Sequence, residues 1–303
     1  MEHTPSTAHA TSASPFHVDN TLEYKLWRSS KLADYPIDIN GLIVPIVDPY
    51  QLSELEKQQL LSHCRKTNFA IYRFLSPKIQ VDKFVLQALT AQLGLHHLDH
   101  NLGADEDGVT ALQVSPALGT QEYIPYTNHP LNWHTDGYYN SPECQVHAFL
   151  IHCVHPALKG GENQLYDHEL AYIKLRDINP EYVDALMLPD VMTIPANQEG
   201  TLLIRAAQTG PVFSIAPQGH LHMRYTARTR HIQWKSHPKV TAAIQTLMSI
   251  LTQDMVFRYC LSANEGIICN NILHNRSGFT DSLNPQQKRL LYRMRFYDRI
   301  KMD

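Results

Sequence analysis

Apolar residues recur at two different spacings along this chain of 303 residues, and the spacing changes near residue 110. Before that point the period is mostly helical. Leu55, Leu60 and Leu61 give an apolar stripe over 53–66, and Ser53 with Glu56 fits the S-x-x-E capping box that closes a helix N-terminus. A second helix is predicted over 78–93, where Val81, Phe84, Val85, Ala88, Leu89 and Leu93 share one face. Between the two, FAIYRF (69–74) reads as a strand. After residue 110, strand candidates dominate: LQVS, NWHTD, VHAFLIHCV, NQLY, TLLIRA, VFSIA, HLHMRYT, VFRYCL, IICNN and LLYRMRFY. Helices interrupt them near 167–176, 180–187 and 238–252, the last on Val240, Ile244, Leu247 and Leu251. Many strands with inserted helices, and no regular strand–helix alternation, predict a mainly β fold with helices outside, a sandwich or jelly roll. No internal repeat or linker divides residues 21–303, so they are expected to form a single domain. Residues 1–20, rich in Ser, Thr, Ala and Pro, are expected to be a flexible tail.

Composition narrows the function by exclusion. A net charge of −3 gives no basic surplus for nucleic acid or an anionic membrane. No apolar run approaches the roughly 20 residues of a membrane helix, and the first residues lack an export or organelle signal. The cysteines, Cys64, Cys144, Cys153, Cys260 and Cys269, are odd in number, scattered, and contain no CxxC. Free, mostly buried thiols in a reducing cytoplasm are expected, and a zinc–cysteine site is not.

Candidate chemistry starts at NHPLNWHTDGYYN (128–140), which sets His134 and Asp136 two residues apart. With 18 histidines in the chain the bare triplet is weak, and it also occurs at His17-Val18-Asp19 and His97-Leu98-Asp99. Only His134 has strand-forming neighbours and leads into a long apolar strand. Alternate residues of a strand point to one face about 6.6–7 Å apart, so His134 and Asp136 would aim a nitrogen and an oxygen at a common point. GIICNNILHNRSGF (266–279) offers His274 as a third ligand. Two histidines and a carboxylate on one face of an octahedral ion leave three positions open, the facial triad of non-haem Fe(II) oxygenases. A chelating 2-oxo acid would then need an anchor for its far carboxylate, which an arginine fork suits. In KRLLYRMRFYD (288–298), alternation puts Arg289, Leu291, Arg293, Arg295 and Tyr297 on one face. Leu290, Tyr292, Met294 and Phe296 form the other, apolar face. The arginine face is either a solvated edge or an anion-binding lining, and His274 fifteen residues earlier favours the lining.

WHTDGYYNSPE, LIHCVHPALKGGENQLYD, LHNRSGF and RLLYR occur in this order. Over roughly residues 110 to 298 the chain resembles the taurine dioxygenase/γ-butyrobetaine hydroxylase family of Fe(II)/2-oxoglutarate oxygenases. The resemblance implies a double-stranded β-helix, with Fe(II), 2-oxoglutarate and O2 as cofactor and co-substrates. It implies His134, Asp136 and His274 as iron ligands and catalytic centre, Arg289 as the 2-oxoglutarate anchor, and Arg293 as a grip on an anionic substrate. Asn163 stands in GGEN where relatives often carry a Thr that helps hold 2-oxoglutarate, and an amide can donate the same hydrogen bond. Asn270-Asn271 stands where an Asp-Asn pair is common, with little expected consequence for the metal. Because Asp136 is present, oxygenation is expected over halogenation, with hydroxylation as the default outcome.

Several residues keep two readings. Arg224, Arg228 and Arg230 line a substrate mouth or a solvated loop. His220 and His222 lack an evident carboxylate partner and read as ordinary polar positions. Trp133, Tyr138 and Tyr139 pack in the core or cage a quaternary ammonium. Arg276 is expected to pair with a carboxylate near the site. The expected substrate is a small polar molecule, an amino acid, betaine or sulfonate, with no nucleic-acid or membrane partner, and family habit suggests a homo-oligomer. The alternatives are a zinc-type hydrolase, which leaves RLLYR without a task, and a non-catalytic jelly roll.

Overall fold

The computed structural model describes residues 14–76, 81–100, 108–114, 124–228, 232–252 and 255–301. Two sheets organise the molecule. The larger has six strands in the order Ile43–Ile46, Phe69–Phe74, Glu265–Cys269, Ala148–His155, Leu290–Phe296 and Val109–Leu112. Its first pair is parallel and the other pairings are antiparallel. The smaller sheet runs Phe257–Tyr259, Asn163–Tyr166, Leu273–Arg276 and Leu131–His134.

Strand alternation divides the apolar residues of the larger sheet between two cores. Phe69, Ile71, Phe149, Ile151, Ile267 and Leu291 join Leu165, Phe257 and Leu273 of the smaller sheet in one cluster. Phe69 meets Phe257 edge-on with centroids 5.4 Å apart, and Phe149 reaches His274 at 4.6 Å. The opposite face, with Tyr72, Leu150, Ile268, Met294 and Phe296, packs on Leu60, Cys64, Val85, Leu86 and Leu89 of two helices, Glu54–Thr67 and Lys83–Ala91. Three further helices, His168–Ile178, Pro180–Leu186 and Pro238–Ile250, add Leu170, Leu175, Val183, Val240 and Leu247 to the first cluster.

The capping box is present, with Ser53 Oγ accepting from Glu56 N–H and Glu56 accepting from Ser53 N–H. The helix predicted from 78 begins only after its cap, Asp82, whose carboxylate accepts from Val85 N–H, and ends at Ala91; residues 77–80 lie outside the described chain. The strand expected at LQVS sits earlier, at Val109–Leu112. The tail boundary also moves. Residues 1–13 lie outside the described chain, but Ser14–Asn20 packs against the helix Thr21–Leu32 and the helix His168–Ile178. Phe16 is buried against Trp27 and Tyr172, and Arg176 donates to the carbonyls of Pro15 and Val18 at 2.7 and 2.8 Å. One buried aromatic in a polar stretch is enough to tie down a segment that composition alone marks as free.

All five cysteines are free, with Cys64, Cys153 and Cys269 buried. Among the described residues, no helix is long and apolar enough to cross a membrane.

Candidate active site

The smaller sheet brings the two candidate histidines together. His274 and His134 are direct cross-strand partners, and their rings lie 4.2 Å apart between centroids. Each Nδ1 faces a backbone carbonyl two residues back, Asn132 O at 2.8 Å and Ile272 O at 3.0 Å. A carbonyl can only accept, so Nδ1 carries the proton and Nε2 keeps its lone pair. Burial and the charge of His134 push the pKa of His274 down to about 3, which leaves it neutral and ready to ligate.

Asp136 arrives by a different route from the one strand alternation predicts. The strand stops at His134. Thr135 is pinned to Tyr225 through its N–H, which donates to Tyr225 O at 3.0 Å, and through its Oγ1, which accepts from Tyr225 N–H at 3.0 Å. Gly137 then turns the chain at φ +67, where a Cβ would lie 2.5 Å from Val146 Cγ2. The backbone of Asp136 is clamped by Asn271, whose Oδ1 accepts from Asp136 N–H at 2.8 Å and whose Nδ2 donates to Asp136 O at 2.9 Å. The same Nδ2 donates to Val146 O at 2.6 Å. Asn271 sits at φ +48, a left-handed conformation that asparagine tolerates better than most residues. Little consequence for the metal was expected of this pair, and in the structure Asn271 holds the backbone that carries the Asp136 side chain. Its neighbour Asn270 donates to Asn68 Oδ1 at 3.2 Å, and Asn68 Nδ2 in turn reaches Asp167. The signal available in the sequence was an asparagine pair directly before the candidate His.

One ligand atom from each of His134, Asp136 and His274 lies within 4.8 Å of the others, and all three residues are buried. Among the described residues, Asp136 Oδ2 is buried with no hydrogen-bond partner. Burial works against its charge, but the guanidiniums of Arg293, 3.5 Å away, and Arg295 hold the carboxyl well below the usual range. An ionised oxygen without a hydrogen-bond partner among the described residues, beside two imidazoles whose Nδ1 atoms face carbonyls, fits a divalent cation, and the carbonyls and Asn271 behind them supply the outer hydrogen bonds such sites use.

The profile described as "Taurine catabolism dioxygenase TauD, TfdA family" matches residues 33–295. This chain belongs to that family. It is an Fe(II)- and 2-oxoglutarate-dependent dioxygenase. A Streptomyces relative described as a uridine-5′-phosphate dioxygenase is 29% identical over 203 residues, 62% of this chain and 69% of the relative. In fold the dioxygenase is similar to the non-heme iron oxygenase OrfP in complex with Fe and alpha-ketoglutaric acid, with a TM-score of 0.59 and 14% identity over 84% of this chain and 82% of that one. It is also similar to asparagine oxygenase in complex with Fe(II), 2S,3S-3-hydroxyasparagine and succinate, with a TM-score of 0.56 and 16% identity over 81% and 80% of the two chains.

The arginine strand of the dioxygenase has the predicted two faces. Leu291 lies in the inter-sheet core, while Met294 and Phe296, with Tyr292, pack on the helices. All three arginines are buried, so the strand is no solvated edge. Arg295 is already committed, as it pairs with Asp99 and donates to Tyr139 Oη at 2.9 Å. Asp99, the acid of a competing His-x-Asp triplet, thus serves the arginine strand. Arg293 Nη1 lies 3.5 Å from Asp136 Oδ1, and its Nε is buried without a partner. Arg289 makes no side-chain ion pair among the described residues, and it lines two cavities together with Asn163 and Leu291. One also holds His134, His274, Arg276 and Arg293; the other, of about 260 Å³, lies toward Gly160, Gly161, Cys260 and Ser262. Asn163 Nδ2 donates to Tyr259 O at 3.4 Å.

Other candidates change role. Arg224 is buried and donates to the carbonyls of Tyr138, Met192, Gly210 and Gln208, so it braces the strands and does not line a mouth. Arg228 faces the Tyr138 ring at 5.9 Å, and Arg230 lies outside the described residues. Arg276 finds backbone carbonyls, those of Thr127 and His129, in place of the expected carboxylate. His220 and His222 gather around His147, with His222 buried and held neutral.

Proposed function

We propose that His134, Asp136 and His274 hold the iron, that Arg289 anchors 2-oxoglutarate, and that the substrate is a small organic anion, most specifically a nucleoside monophosphate. The two facing sheets would be the halves of a double-stranded β-helix, with the described chain from Ser14 onward forming one oxygenase domain. The observation that carries the metal assignment is the orphaned, ionised Asp136 beside two histidines whose Nε2 atoms are free.

When bound, iron with 2-oxoglutarate and O2 supplies the oxidising power that replaces an unactivated C–H by C–OH, with succinate and CO2 released. The protein supplies position and charge. Arg289 would hold the far carboxylate of the co-substrate, which a planar guanidinium suits, and Asn163 borders the same space. Arg293 keeps Asp136 ionised and has its Nε left for a substrate anion. Leu112, Leu131, Ile151 and Leu291 give the cavity apolar walls that exclude water.

Charge at the aromatic pair supports an anionic substrate. Tyr138 and Tyr139 are not an empty cage for a quaternary ammonium. Arg228 faces the Tyr138 ring at 5.9 Å, and Arg205 and Arg295 face the Tyr139 ring at 5.9 and 5.7 Å. Arg295 is neutralised by Asp99, but Arg205 and Arg228 form no ion pair among the described residues, and their charge disfavours a betaine and favours a phosphate or sulfonate. The relative named for uridine 5′-phosphate supports the choice of a nucleoside monophosphate.

The test is anaerobic. Fe(II) and then 2-oxoglutarate should produce a weak visible charge-transfer band that shrinks in Arg289→Ala. Uridine 5′-phosphate should shift the band more than taurine or a betaine does. In air, substrate-dependent succinate release should vanish in Asp136→Ala. Full turnover in that variant would refute the triad, and a shift by the betaine alone would refute the anionic reading.

A further inference from the structure

Two guanidiniums share one phenyl ring beside the candidate metal centre. Arg276 and Arg289 place their Cζ atoms 4.9 and 4.8 Å from the centroid of Phe279. They are only 6% and 4% exposed, and both line the cavity that contains His134 and His274. Arg289 meets no acid through its side chain among the described residues; Asp281 accepts from its backbone N–H at 2.6 Å instead. Arg276 spends Nη2 on the carbonyls of Thr127 and His129, while its Nε is buried and has no partner among the described residues. Burial holds both guanidiniums out of water, with the charge of Asp281 acting on Arg289 from nearby.

Two like charges held out of water near one another, neither in an ion pair among the described residues, are costly. The sharing of Phe279 offsets part of that cost. A dry arrangement of this kind is a preformed site for an anion that arrives with the ligand. Both arginines line the cavity that His134 and His274 also line, so an anion held there would belong to a molecule whose other end lies toward the candidate metal position.

We infer that Arg276 is a second anchor for the distal carboxylate of 2-oxoglutarate, acting with Arg289 across Phe279. This rests on the reading of Arg289 as first anchor. It differs from a purely structural role for Arg276, which would be to hold the Thr127–His129 segment ahead of the His134 strand.

The two roles separate in a binding measurement that needs no turnover. Fe(II)-loaded protein is titrated anaerobically with 2-oxoglutarate and with 2-oxobutyrate, which has the same chelating head and no distal carboxylate. The chelate band reports binding. In Arg276→Met, 2-oxoglutarate should weaken by roughly 10- to 100-fold, the scale of a charge-assisted hydrogen bond. 2-Oxobutyrate should change by less than about twofold, and Arg276→Lys should recover part of the loss. Equal weakening of both ligands, or none for either, overturns the second anchor while the wild-type band still upholds the oxygenase reading. The absence of any band in wild-type protein with either ligand would overturn that reading and the second anchor together. If Arg276→Met does not fold, the ratio of the two ligands in Arg276→Lys decides the matter, with a selective loss of 2-oxoglutarate expected and a uniform one contrary.

Discussion

Replacing Asn271 is the sharpest test of how this site is built. Its amide makes three buried hydrogen bonds, to Asp136 N–H, Asp136 O and Val146 O, at 2.8, 2.9 and 2.6 Å. Asn271→Ala strands all three partners in a region where Asn271 itself is 2% exposed. Leaving a buried backbone group unsatisfied costs about 1–3 kcal/mol, and water entering the vacated space offsets part of this. Alanine at φ +48 adds about 1 kcal/mol that asparagine largely avoids. The expected loss of stability is therefore roughly 3–5 kcal/mol. Asn271→Gly loses the same bonds without the conformational cost and should lie about 1 kcal/mol above Asn271→Ala. Stability is read from urea unfolding. Metal affinity is read by calorimetric titration with Mn(II) or anaerobic Fe(II) on whichever variant folds. Affinity should fall about 10- to 100-fold, as for other outer-sphere supports, because the carboxylate is no longer held in place. Wild-type metal affinity in a destabilised Asn271→Gly would refute the reasoning, since Asn271 would then support the fold and not the ligand. A stability loss below about 1 kcal/mol would refute the count of stranded groups.

Acid should act through buried histidines. His152 is fully buried, stacks on Tyr72 and Phe74, and burial pushes its pKa down to about 3. The unfolded chain, with a histidine pKa of about 6.5, takes up the proton first, so stability falls as pH drops below that value and goes on falling toward about 3. This residue alone contributes about 1.4 kcal/mol per pH unit in that window. Urea unfolding at pH 7, 6 and 5 should show a shallower slope for His152→Gln; parallel slopes would contradict the assignment. Gly266 meets Tyr72 closely, for a Cβ there would lie 2.3 Å from the tyrosine Oη, and Tyr72 is buried and bonded to His152 at 3.1 Å. Gly266→Ala should cost about 1–3 kcal/mol by overpacking, seen as a lower melting temperature, and an unchanged melt would mean that Tyr72 swings aside freely.

Local signals carried much of the architecture. Ser53 and Glu56 fixed a helix start because a cap is made by residues three apart. The alternation of 289–297 gave the inner and outer faces of a strand that is buried on both sides. Four ordered motifs were enough to reach the family, because ligands, anchors and turns keep their order along a chain even where the rest diverges.

What the chain could not disclose is long-range pairing. Arg293 and Arg295 look alike in sequence, yet Arg295 is committed to Asp99, while Arg293 faces Asp136 with Nε left over. Arg224 was left between a substrate mouth and a solvated loop and Arg276 was expected to meet an acid, and both were claimed by carbonyls of distant segments. Asp136 was expected to be aimed by its strand, but that strand ends two residues early and Asn271 does the aiming. By itself, then, the sequence determined the element types, the inward face of the arginine strand and the three residues that converge. Tertiary structure alone decided which arginines lack a partner and what holds the carboxylate in place. The physical reason is that side-chain direction is a local property of backbone period, whereas the partner a buried charge finds depends on sheet register between residues far apart in the chain.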